Sequence, residues 1–136
     1  MTNYTEREEL ILHVYEGHKD AFGVKGRHYD FANMTIEQLR DESDRIQEAV
    51  EAAIQEEEIR QLEALADFET EIDNICHRNP NASRETAIRW ILDARGMLDE
   101  TDPDYICFIL GLSYQEAHVF EQACSVARAN LLNPQT

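Results

Sequence analysis

The sequence predicts an all-α protein of about five helices, with one long acidic helix (about 36–77) packed by shorter helices. Three observations carry this. Helix-start signals recur, in which Thr or Ser is followed three residues later by Glu or Gln: Thr5/Glu8, Thr35/Gln38 and Ser113/Glu116. From Ile36 the chain holds no glycine or proline until Pro80. Apolar residues return at a helical period, and no segment alternates as a strand would. A chain of 136 residues fits one domain over 1–136, comprising an N-terminal helix and basic loop (1–34), the long helix (35–77) and a C-terminal helical bundle (83–132).

In chain order, the Thr5/Glu8 box starts a helix whose Leu10, Ile11, Val14 and Tyr15 share a face and which is expected to end near Gly17. An irregular loop then runs to about Asn33. Thr35 and Gln38 start the long helix, with Met34 placed to staple onto Leu39. Its core stripe is Leu39, Ser43, Ile46, Val50, Ala53/Ile54, Glu57, Gln61, Leu65, Phe68, Ile72 and Ile75, which turns polar in QEEEIRQ, residues 55–61. With no breaker present, a continuous or gently bent helix is expected there. HRNPNAS, residues 77–83, is a turn whose Ser83 caps a helix buried through Ala87, Ile88, Ile91 and Leu92 and closed by Gly96. Asp102 and Pro103 start a short helix, YICFIL, expected to lie centrally in the core and to stop at Gly111. The Ser113/Glu116 box leads the last helix through Phe120, Ala123, Cys124, Ala127 and Leu131. Trp90 reads as a packing aromatic.

Charge narrows the function classes. The formal net charge is −16, with 28 acidic and 12 basic residues. Such a surface repels nucleic acids and anionic membranes, so direct nucleic-acid binding is not expected and partners should be basic. The start, MTNYTEREEL, is polar and acidic and does not read as a secretory leader, and no run approaches a membrane span. Cys76, Cys107 and Cys124 form no CxxC pair and read as reduced thiols of a cytoplasmic protein.

The long helix concentrates the charge. Residues 37–73 hold 14 carboxylates against 3 arginines. Glu37/Asp41 and Glu63/Asp67 are like-charged at i,i+4, which weakens an isolated helix. Such an excess is either a solvated face or a surface that offers carboxylates to a basic groove, partly imitating a phosphate backbone as a DNA mimic would. The candidate residues are Glu48, Glu51, Glu56, Glu57, Glu58, Glu63 and Asp67, with the triplet 56–58 foremost because the stripe lapses there.

HKDAFGVKGRHYDF, residues 18–31, is the basic exception. Three readings stay open for His18, Lys19, Lys25, Arg27, His28 and Tyr29. In one reading the loop is structural, docking on the acidic helix with Phe22, Tyr29 and Phe31 plugging the core. In another it anchors a partner through Arg and Tyr. In the third it cradles a small anion with glycine-rich backbone and cations, though no Walker or dinucleotide fingerprint is present. No metal or cofactor is expected: His13 and His18 miss the i,i+4 spacing, HExxH is absent, and Glu9 with His13 is too small a set. No nucleophile sits in a recognisable elbow, so no enzyme is expected. GLSYQEA and ARANLL resemble pieces of the bacterial sigma-factor helix-turn-helix, but the intervening turn and recognition helix are missing and Arg128 is the segment's only arginine or lysine.

VYEGHKDAFGVKGRHYDFANMTIEQL, residues 14–39, resembles a segment of small proteins of tailed bacteriophages and prophages: a YExHKDAxG-like phrase, an RHYDF-like phrase, then an M-[ST]-x-E-[EQ]-L helix start and a long acidic helix. TAIRWILDA, residues 86–94, is similar to a later phrase of that group, and together the matches touch about a quarter of the chain. The group carries no established activity, so no residue roles transfer. The resemblance implies an accessory protein in the bacterial host cytoplasm. The expected function is to bind and inhibit a host protein or nucleoprotein complex with a basic surface, as an anti-CRISPR does. The alternatives are an assembly protein dimerising as a coiled coil through the long helix, and a small anion-binding protein or enzyme using the 18–28 loop.

Overall fold

A computed structural model describes residues 3–134, and the described residues are helical with no strand. The elements are α1 (Glu6–Phe22), a 3-10 turn (Phe31–Asn33), α2 (Ile36–Arg78), α3 (Arg84–Ala94), α4 (Pro103–Leu110), a 3-10 segment (Tyr114–Phe120) and α5 (Glu121–Leu132). The chain forms two compact units, Met1–Glu57 and Glu58–Thr136. Their boundary falls inside QEEEIRQ, yet α2 is continuous through it. This fits the lapse of the stripe: Leu39 and Ile46 are buried in the first unit and Phe68 and Ile72 in the second, whereas residues 54–60 are all exposed. No helix is long and apolar enough to cross a membrane among the described residues.

In the first unit, Thr5 and Glu8 close the expected box, Glu8 N–H donating to Thr5 Oγ1 (3.2 Å) and Thr5 N–H to Glu8 Oε1 (3.3 Å). α1 does not end at Gly17; it runs on to Phe22 and is closed by Gly23 at φ 84°. Gly17 is there for a different reason. A Cβ on it would stand 2.8 Å from Ile46 Cγ2, so glycine lets α1 approach α2. Val14, Leu39 and Ile46 are fully buried in this unit. Arg7 locks the entry to α2 by donating to the carbonyls of Phe31 and Met34, both at 2.6 Å. The Thr35/Gln38 box is made as expected, at 2.8 and 3.1 Å.

The second unit has the larger core: Phe68, Ile72, Ala87, Ile88, Ile91, Leu92, Met97, Ile106, Cys107, Leu112, Phe120, Ala123 and Cys124. Phe68 meets Phe120 at 5.5 Å between ring centroids. Ser83 caps α3, and Asp102 with Pro103 starts α4. Arg84 grips Glu69 with two bonds of 2.7 and 2.5 Å, and Arg95 reaches Glu71 at 3.0 Å, so α3 is tied to α2.

Three expectations change here. α4 is not central: Ile106 and Cys107 are buried, but Tyr105, Phe108 and Ile109 face outward. A helix packed on one side buries only one face, however apolar its sequence. Ser113 does not start the last helix directly. Its Oγ accepts from Gln115 N–H (3.2 Å), and a 3-10 segment follows until α5 begins at Glu121. Ala117 and Phe120, three apart in this segment, both meet the core, which suits that tighter winding. Trp90 is 47% exposed, because α3 buries its 87/88/91/92 side.

Candidate functional site

The helical period separates the carboxylates of α2. At about 100° per residue, Glu48 and Glu51 of the first unit lie on the side of α2 away from Leu39 and Ile46, with Glu56 at its edge; in the second unit Glu63 and Asp67 lie away from Phe68 and Ile72, with Glu58 nearer to them. Glu57 falls within the buried stripe's own phase, so the triplet 56–58 does not present a single surface. All seven are exposed. Glu48, Glu56, Glu58, Glu63 and Asp67 have no described basic side chain within ion-pair distance, and Glu51 accepts a hydrogen bond from Gln47 at 3.2 Å. Other carboxylates of α2 are engaged internally: Glu42 with Arg45, Glu69 with Arg84, Glu71 with Arg95. The Arg84 guanidinium, hydrogen-bonded to Glu69, holds that carboxyl below its usual range. The outward acids are thus what remains after folding has used its share.

Two apolar residues sit among them. Ile59 is 55% and Leu62 65% exposed. Both are out of phase with the core stripe, so the buried periodicity does not include them. Their signal was that very phase: 59, 62 and 66 form a second i, i+3, i+7 row beside the first.

The basic loop is drawn inward rather than gathered into one site. His18 is buried, and its Nδ1–H donates to the carbonyl of Val24 at 2.6 Å. Its ring lies 4.7 Å from Phe22, 5.0 Å from His28 and 5.8 Å from Tyr29, between centroids. His28 packs on Tyr29, and Tyr29 stacks on Phe31 at 5.3 Å. Gly26 permits this turn: its N–H donates to Tyr15 O at 3.1 Å, and a Cβ would strike the Tyr29 ring at 2.8 Å. That amide is therefore committed to the protein's own backbone. The loop meets α2 through Arg45, which bonds Tyr29 Oη (3.3 Å) and lies over the Phe22 ring at 5.2 Å, and not through the acids. Phe22 remains 46% exposed, so it covers the core edge rather than plugging it. Lys25 pairs with Glu16 at 3.7 Å and lies over Tyr15. Lys19, Lys25 and Arg27 do share one open depression, but His18 and His28 belong to the aromatic cluster.

One contact had no sequence signal. Ser43 Oγ lies 2.6 Å from His13 Nδ1, joining α2 to α1. That is a distance a nucleophile and base could use. Both residues stand inside helices, however, where backbone N–H groups are bonded along the helix and none is offered to an oxyanion. No group of three or more His, Cys, Asp or Glu suited to a metal occurs among the described residues. Burial pushes the Cys107 thiol up to about 11, with Asp104 adding to it, and burial also raises Cys124; both are free thiols in the core. Comparisons with protein-family models, curated proteins and solved structures each give no match to this chain.

Proposed function

We propose that this protein is a non-enzymatic phage or prophage accessory protein that binds a basic, nucleic-acid-handling complex of its host. A defence complex such as a CRISPR effector is the partner class that fits the resemblance best. The single observation that supports the reading is the outward set of carboxylates on α2, left without described cations while neighbouring acids are paired. A surface of this kind attracts a basic groove over about a Debye length, 8–10 Å at ordinary salt, and competes there with phosphates. Binding would be steric and electrostatic, with no reaction step, and would take place in the host cytoplasm.

The test is affinity capture from a bacterial host lysate at low and moderate salt, read by mass spectrometry. The wild-type chain is compared with a variant carrying Gln at Glu48, Glu51, Glu56, Glu58 and Glu63. Capture of one nucleic-acid-binding complex, weakened by salt and by the variant, supports the reading. Equal capture by both chains removes the acidic face from it.

A second reading, self-association through α2, draws on the exposed Ile54, Ile59 and Leu62. Sedimentation at neutral pH separates the two: a stable dimer would favour an assembly role.

A further inference from the structure

A shallow groove of about 330 Å³ runs beside α2 within the second unit. Leu62 and Leu65 supply its apolar floor. Ser113 and Gln115, from the segment that follows α4, form the opposite wall, and Glu58 and Glu116 add carboxylates. No lysine or arginine lines it. Leu65 packs partly into the core, whereas Leu62 is 65% exposed and Ile59, one turn earlier, is 55% exposed. This is more than a charged face: it offers apolar area to bury.

The geometry points to an occupant, and we propose that the groove takes a basic amphipathic α-helix of a partner protein. Leu62 lines the groove, and Ile59 and Ala66 continue its row along α2 beyond the lining, at the three- and four-residue spacing by which one helix packs along another. A helix laid there with its own Leu or Ile row would bury Leu62 and Ile59. Glu58, Glu63 and Glu116 would then lie beside its flanking positions, where Lys or Arg is complementary. A second copy of this chain is the wrong partner by charge, because pairing the same row would bring Glu58 and Glu63 against Glu58 and Glu63. Nucleic acid is repelled by the same carboxylates and has no apolar row to offer.

This inference rests on the reading that the acidic side of α2 binds a basic protein, and it narrows that protein's contact to a helix. The test uses two synthetic 21-residue peptides of identical composition. One has Leu at the core heptad positions and Lys at the flanking ones; the other has the same residues scrambled. Fluorescence anisotropy is recorded with wild-type protein, Leu62→Gln, and the double variant Glu58→Gln/Glu116→Gln. Leu62 and Glu58 are exposed and Glu116 is half-buried, and circular dichroism checks the helix content of every chain.

The wild-type chain should bind the patterned peptide at least about tenfold more tightly than the scrambled one. Leu62→Gln should remove most of that preference while leaving the scrambled peptide's weak binding unchanged. The Glu double variant should weaken binding and flatten its salt dependence. Equal binding of both peptides, or an unchanged preference in Leu62→Gln, means that charge alone operates; it overturns the helix inference and leaves the proposed function standing. Failure of both peptides to bind at low salt overturns the inference and counts against the acidic face as well. A wild-type dimer dispersed by Leu62→Gln assigns the groove to a second copy and also overturns it.

Discussion

Gly17→Ala distinguishes two roles for a glycine by the sign of its effect. In the interior of a helix, replacing Gly by Ala is worth about 1 kcal/mol of stabilisation, because the glycine gives up more chain entropy on folding. Gly17 lies well inside α1, so propensity alone favours alanine. The structure adds an opposing effect: the new methyl would stand 2.8 Å from Ile46 Cγ2, and Ile46 is fully buried. Extra carbon in a packed contact costs about 1–3 kcal/mol. The two effects combine to a net loss of about 0–2 kcal/mol. Ile46→Leu removes the β-branch that makes the contact, so in that background Gly17→Ala should recover much of its helix gain. The cycle of four proteins would be unfolded in urea and followed by far-UV circular dichroism, with hydrogen exchange over residues 14–46 locating the effect. Full stabilisation of about 1 kcal/mol by Gly17→Ala alone would refute the reasoning, since that is the behaviour of a helical glycine facing open space.

Other consequences can be checked on the same protein. At pH 8, a thiol reagent should label the half-buried Cys76 well before Cys107 and Cys124, read by peptide mass mapping. The folded Cys107 pKa, about 11, lies above its ordinary 9.0, so its contribution to stability is intact below pH 9 and should be lost as pH rises toward 11. Arg84→Ala should cost at most about 1 kcal/mol at neutral pH, because the pair with Glu69 is largely solvated. Glu69 is held below its ordinary 4.5, so the difference between the two proteins should shrink as pH falls through the folded value, measured by urea unfolding from pH 7 to 3. Arg7→Ala should cost about 2–3 kcal/mol by leaving the part-buried carbonyls of Phe31 and Met34 without their charged donor.

The helices were legible because their signals are local. Thr5/Glu8 and Thr35/Gln38 close the boxes their spacing predicts, and the absence of breakers kept α2 whole across QEEEIRQ. What failed depends on which neighbour a side pairs with. Gly17 has the sequence appearance of a stop, and only the approach of Ile46 reveals it as a contact. YICFIL is apolar all round, so its pattern could not tell Ile106 from Phe108. The same holds for the candidate site. The acidity of α2 is plain in composition, but the division of Glu57 from Glu56 and Glu58, and the engagement of Glu69 and Glu71 by Arg84 and Arg95, required the helix phase and the packed α3. His18 could be read as a cation until its burial against Phe22, His28 and Tyr29 was visible. The division of the chain at Glu57 had a trace in sequence, the lapse of the stripe, which alone does not separate an exposed stretch from a bend.

On the proposed function, the outward carboxylates of α2 occupy a surface on the host complex that nucleic acid would otherwise hold. The most direct measurement is displacement: the captured complex is loaded with labelled nucleic acid, and the label released is followed as this protein is added. Mutual exclusion is expected, with release by the wild-type chain and little by the variant carrying the five Gln substitutions at the same concentration. A stable ternary complex retaining its nucleic acid, or equal release by both chains, would contradict it.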